Sequence, residues 1–235
     1  MHSLVHSEIF DLALVVGTYI AATILYKKTH LSVLHPLLTS IFVIIVILEF
    51  LDIEYASFQQ GSHLIHFMLG PSVVALGYVL FEQMKYLKGN VVSILTSVFV
   101  GAIVGIISVI VIGKLMGADQ SLIATLQPKS VTTPIAMGVS EAMGGRPDLT
   151  ACLVVITGIF GSIVGRPLFN LCRITSDPVR GVTLGLAAHG MGTSAAFQIS
   201  NRAGAFGGLA MGLSGIITAF LAPLIAGPLM KLLGI

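Results

Sequence analysis

The chain predicts an all-α polytopic membrane protein, with about six full spans, two further broken or re-entrant helical segments and an internal, inverted repeat. Three observations predict it. Of 235 residues, 55% are hydrophobic and 9% charged, with mean hydropathy +1.00, whereas a soluble domain carries about 25% charged residues. Apolar runs long enough, or nearly so, to cross about 30 Å of hydrocarbon follow one another along the chain. Two stretches in the second half are polar and rich in proline or glycine, and paired interruptions of this kind point to a transporter binding site.

Four apolar segments come first. Ile9–Tyr26 is followed by Lys27, Lys28 and His30; Leu31–Leu51 holds Pro36 near its start and ends in the acidic loop Asp52–Glu54. His63–Glu82 is interrupted by Gly70-Pro71 and followed by Lys85 and Lys88, and Val91–Met116 carries Lys114 near its end. The second half opens on Leu126-Gln-Pro-Lys-Ser-Val-Thr-Thr-Pro-Ile-Ala-Met137 and continues through Gly144, Gly145 and Arg146 into a span from Leu149 to about Cys172. A charged loop, Arg173–Arg180, leads into the glycine-rich segment Gly181–Ser200, and a last span runs from Gly204 to about Leu232. With no Trp in the chain, an interfacial belt rests on tyrosines such as Tyr26 and Tyr86.

Residues 1–118 read as an N-terminal membrane half and 119–235 as a C-terminal half of two hairpin-plus-span units, together one integral membrane domain. The repeat rests on the order of features. Thr132–Ser140 can be laid over Gly192–Ser200, and each is followed by a charged turn and a long span. Placing Lys27/Lys28, Lys85/Lys88 and Arg173/Arg180 in the cytoplasm requires the first broken segment to dip in from outside and suggests that the second dips in from the cytoplasm. The two would then meet near the midplane.

Lys129 is the first candidate for chemistry. A lysine at bilayer depth costs about 2.5–3.5 kcal/mol on insertion scales, so it calls for a partner or a wet cavity. With the hydroxyls of Ser130, Thr132 and Thr133 beside it, and helix ends freed by Pro128 and Pro134, it reads as a site for a small anion. His189 is the second candidate, as an anion ligand or the carrier of a coupling proton; the plainer reading is a neutral histidine satisfied by a backbone carbonyl. Gly190, Gly192, Thr193 and Ser194 would let the backbone approach a ligand, and Pro71 is a further candidate for the cavity lining. Cys152 and Cys172 read as small hydrophobes, and His63 with His66 makes a poor metal site. No nucleophile–base pair, metal-ligand cluster or phosphate loop is recognisable, so the chain does not read as an enzyme, and neither a metal nor a cofactor is expected.

The run Pro128-Lys-Ser-Val-Thr-Thr-Pro-Ile-Ala136, with Gly144-Gly145, Ala188-His-Gly-Met-Gly-Thr193 and Leu69-Gly-Pro-Ser-Val-Val-Ala-Leu76, resembles the CidB/LrgB family of bacterial membrane proteins over nearly the whole chain. Some members of that family have Gln where this chain has Lys129. The resemblance implies a multi-pass protein of the bacterial inner (plasma) membrane. It implies a small partner membrane protein of the CidA/LrgA type, and a homo-oligomer is expected; a nucleic-acid partner is not. It also implies a carrier of small monocarboxylates (pyruvate, glycolate or glycerate), with H⁺ or Na⁺ as a possible coupling ion. Its alternative is a holin/antiholin-like pore or regulator of murein hydrolase activity and autolysis.

Overall fold

The computed structural model describes residues 8–29, 34, 36–68, 70, 71, 74, 75, 78, 81 and 91–234, and all regular structure among them is helical. Glu82, Lys85, Tyr86 and Lys88 lie outside the described residues. The chain divides into two compact units, 1–72 and 73–235.

The first unit holds α1 (Glu8–Thr29), α2 (Pro36–Phe50), α3 (Tyr55–Gly61) and α4 (His63–Phe67). Acids Glu8 and Asp11 open α1 and Lys27 and Lys28 close it, an order that complements the helix dipole. Pro36 starts α2, at a position where its missing N–H costs nothing. α2 and α3 are bent by 119° at the acidic loop. Phe42, Ile45 and Phe50 point outward, as lipid-facing side chains do.

The second unit holds α5 (Val91–Leu115), α6 (Gln120–Leu126), α7 (Thr133–Ala142), α8 (Pro147–Leu171), α9 (Asp177–Phe197) and α10 (Asn201–Leu233). Among the described residues four helices, α1, α5, α8 and α10, are long and apolar enough to cross a membrane, and a fifth span results if α2 and α3 count as one. That is fewer than the six expected. The difference falls on residues 31–82, where α2 has only 15 residues and part of the expected His63–Glu82 span lies outside the described residues. α5, which the sequence reading grouped with the N-terminal half, packs through Ile106 and Ile110 onto Ile123, Val139, Ala222 and Ala226 of the C-terminal elements.

Two helical hairpins give this unit its form. α6 begins at Asp119, whose carboxylate accepts the Leu122 N–H at 2.7 Å. The chain then leaves the helix through a turn over residues 127–130 and returns as α7. Pro134 lies in the first turn of α7, where proline is tolerated, so the interruption is the work of Pro128 rather than of both prolines. The base of this hairpin is closed by Ser121 and Gly144, and the N–H of Arg146 donates to the Thr125 hydroxyl at 2.9 Å. Gly144 there adopts φ 75°, which a side chain would resist.

α9 is the second hairpin. Its two limbs, 177–187 and 190–197, are separated by non-helical backbone at Ala188 (φ −132°) and His189 (φ 43°). The limbs run back to back, because Leu184 of the first packs with Ala195 and Ala196 of the second. The base is closed by the Ser200 hydroxyl donating to Asp177 at 2.7 Å.

α8 connects the two. Thr150, near its start, bonds to the base of the first hairpin, while Phe169, near its end, packs with Leu184 and Ala195 of the second. The hairpins therefore enter from opposite ends of α8. Their tips meet on one residue: the Val154 side chain packs with Val131 of the first, and its carbonyl lies 3.0 Å from His189 Nε2 of the second.

The first hairpin is held by hydroxyls as well as by the apolar packing of Ile123, Val131, Ala136 and Val139. Thr150 Oγ1, fully buried, lies 2.9 Å from the Thr125 carbonyl and 2.7 Å from Ser140 Oγ. Thr150→Val keeps the shape and leaves those oxygens without a partner. It is expected to lower stability by about 1–3 kcal/mol, read as an earlier thermal transition of the detergent-solubilised protein.

Candidate functional site

Helix breaks expose backbone groups that a membrane cannot satisfy unless protein or a wet cavity does so. Here the two breaks border one cavity, of about 230 Å³. Gln127, Pro128, Lys129, Ser130 and Val131 line it from the first break, and Leu186 and Ala187 from the turn just before the second. Ser214 and Thr218 of α10 and Gly101 and Gly105 of α5 complete the wall.

Lys129 is half-buried, and its ammonium donates to Ser130 Oγ at 3.3 Å. Among the described residues no carboxylate lines the cavity, so the lysine brings a positive charge to a small, mostly apolar space. Gln127 stands beside it. It is 4% exposed, and neither its amide nitrogen nor its amide oxygen has a hydrogen-bond partner. A buried, unpaired amide costs about 1–3 kcal/mol. In a site lined also by two α10 residues with hydroxyls, such a group offers both N–H donors and a carbonyl acceptor to whatever enters.

The other candidates from the sequence are placed as follows. Thr132 caps α7, and its hydroxyl is buried without a partner; Thr133 follows it at the first helical position. Neither lines the cavity. His189 is 5% exposed, at the tip of the second hairpin, and it too is set back from the cavity. Its Nε2 faces the Val154 carbonyl and therefore carries a hydrogen. That contact favours the plainer reading of His189, a histidine satisfied by a backbone carbonyl. Thr193 donates back to the His189 carbonyl at 2.9 Å. Gly192 passes so close to the Leu184 carbonyl that a Cβ could not be fitted, which makes it a packing residue of the hairpin. Gly190 and Ser194 are exposed. Pro71 is exposed and belongs to the first unit.

The structure thus brings Lys129 and Ser130 together with three residues that sequence reasoning missed. Ser214 and Thr218 lie four apart on α10, hence on one helical face; that spacing was the available signal. Gln127 had none beyond its place before Pro128, because a lone neutral amide in a polar run looks like any solvated side chain. Cys152 and Cys172 are free thiols, and among the described residues no His, Cys, Asp and Glu cluster could hold a metal ion.

Comparison with known proteins gives the lineage. The model of the LrgB-like family matches residues 15–227. Uncharacterized protein YwbG of Bacillus subtilis (strain 168) is 38% identical over 215 residues, covering 92% of this chain and 96% of the relative. Holin-like protein CidB of Staphylococcus aureus (strain Mu50) is 32% identical over 212 residues, covering 90% and 93%. Its counterpart in Staphylococcus epidermidis (strain ATCC 12228) is 30% identical over the same shares. No solved structure matches the chain. A family match over most of the chain, close relatives of the same length and several apolar spanning helices agree: the chain is a multi-pass membrane protein of the LrgB-like family.

Proposed function

We propose that this protein moves a small monocarboxylate, of the size of pyruvate, glycolate or glycerate, through the cavity between its two helix breaks. Lys129 carries the reading: among the described residues it is a cation whose partner is a neighbouring hydroxyl, in a cavity that no carboxylate lines. Ser130 and Gln127 would hold the acid's oxygens, with Ser214 and Thr218 opposite. A space of about 230 Å³ suits a short acid with some water. The two hairpin-plus-span units, entered from opposite ends of α8, support an inverted repeat of the kind that rocks about a fixed central site. Thr132, Thr133, Gly190, Gly192, Thr193 and Ser194 support the two tips, and His189 is the candidate for proton coupling. A homo-oligomer and a CidA/LrgA-type partner belong to this reading.

A second reading has its own support. The staphylococcal relatives are named holin-like proteins, and none of the names cited mentions a carboxylate. The comparisons therefore back a holin-like pore or regulator of autolysis better than they back any particular substrate. Uptake of labelled pyruvate, glycolate and glycerate into proteoliposomes, with and without the partner, separates the two. A carrier gives saturable, mutually competitive uptake; a pore gives flux that does not saturate and admits unrelated solutes.

Two variants sharpen the test. Gln127→Leu removes a buried unpaired amide and is expected to leave thermal stability unchanged or raise it by about 1 kcal/mol, while lowering uptake about tenfold. Unchanged uptake would make Gln127 a mere packing residue. His189→Gln keeps a donor for the Val154 carbonyl but cannot take up a proton. If His189 couples protons, counterflow survives and pH-driven accumulation between about pH 5 and 8 is lost; an unaltered pH profile leaves His189 a structural donor.

A further inference from the structure

A second cavity, of about 180 Å³, lies at the base of the second hairpin and is lined by Arg166, Phe169, Asn170, Arg180 and Ile199. Two arginines line one small space, and among the described residues no carboxylate lines it. Arg166 and Asn170 are four apart and share a face of α8. Arg180 sits in the first turn of α9, the end of a helix where positive charge is disfavoured and an anion is favoured. Its Nε donates to the Ile174 carbonyl at 2.7 Å, which anchors the side chain beside the cavity that Arg180 lines. Asp177, the acid of the same turn, accepts the Ser200 hydroxyl and does not line the cavity. Arg166 and Asn170 are exposed and Arg180 is half-buried, so the two like charges lining one space are open to an anion, which would relieve their repulsion.

The depth identifies the anion. Arg166 lies about one and a half turns before the end of α8, so the cavity opens where the chain leaves the hydrocarbon. Basic pockets between spanning helices at that level suit the headgroups of acidic lipids, and guanidinium forks match phosphate oxygens in pairs. We infer that Arg166, Asn170 and Arg180 form a binding site for a phosphate group of the kind an anionic phospholipid presents. The site is independent of the Lys129 cavity and of what that cavity carries.

Native mass spectrometry of the purified full-length protein, with phosphatidylglycerol or phosphatidylcholine added, tests it. Separate titrations with inorganic phosphate, followed by thermal shift, distinguish a lipid headgroup from free phosphate. The parent should retain phosphatidylglycerol in preference to the zwitterionic lipid, and Arg166→Gln/Arg180→Gln should weaken that retention about tenfold. If phosphate alone stabilises the parent but not the variant, and the two lipids bind alike, the site takes free phosphate and the lipid source is overturned. Equal retention of phosphatidylglycerol and equal response to phosphate in parent and variant overturn the site itself. Arg166→Lys/Arg180→Lys guards against misfolding: it keeps the charge, loses the fork and should bind several-fold more weakly. Unchanged binding in that pair would also count against the two-pronged contact.

Discussion

Lys129→Ala is expected to reduce carboxylate uptake by about 10–150-fold, the loss of one charge-assisted hydrogen bond worth about 1.5–3 kcal/mol. Lys129→Arg should retain part of the activity, because the charge stays while its geometry changes. Expression and insertion of the alanine variant should not suffer, since removing an intramembrane charge relieves a cost of about 2.5–3.5 kcal/mol. The combination matters: full amounts of folded protein with little uptake place the lysine at the ligand. Normal saturable uptake by the alanine variant would make Lys129 a side chain that merely snorkels toward water.

The second large effect concerns the fold. The first limb of α9 and the start of α10 approach backbone to backbone: a Cβ on Gly185 would overlap the Gly207 carbonyl, and one on Gly181 the Ala203 carbonyl. Neither obstacle is a flexible side chain, so the helices themselves must part. Gly185→Val is expected to destabilise the protein by about 3 kcal/mol, the upper end for overpacking, and to release the second hairpin. Gly190→Ala is the matched control, because a Cβ there meets only the Met211 sulfur, at 3.9 Å. Size-exclusion profiles and thermal transitions of the two variants check this. Equal behaviour would mean that the close approach of the two helices is not what holds the hairpin.

Both helix breaks were legible in the sequence because each is written in residues with a backbone consequence. Pro128 lacks an N–H, and the glycines around His189 permit the reversal that Ala188 and His189 complete. The role of Pro134 was not legible, because a proline that breaks one helix and a proline that starts the next look alike until the first turn is located. Nor was the setting of His189: a lone histidine among glycines has no periodicity to say which neighbour it faces, and Val154, its partner, is 35 positions away. Ser214 and Thr218 were hidden by the small residues around them on α10, where a hydroxyl that faces a cavity and one that bonds its own helix are written the same way. The bend in the second expected span was not legible, because apolar length alone does not distinguish one straight helix from α2 and α3 meeting at 119°.

The most direct measurement is ligand protection at the cavity wall. With Cys152 and Cys172 replaced by serine, single cysteines are placed at Ser130, on the first break, and at Ala187, beside the second; both positions line the cavity. Their alkylation rates in membrane vesicles are then compared with and without a short carboxylate. One site shared by the two breaks requires that the carboxylate slow both cysteines over the same concentration range, and that Lys129→Ala abolish both effects together. Protection of neither cysteine, or of one without the other, would contradict a single anion site between the breaks.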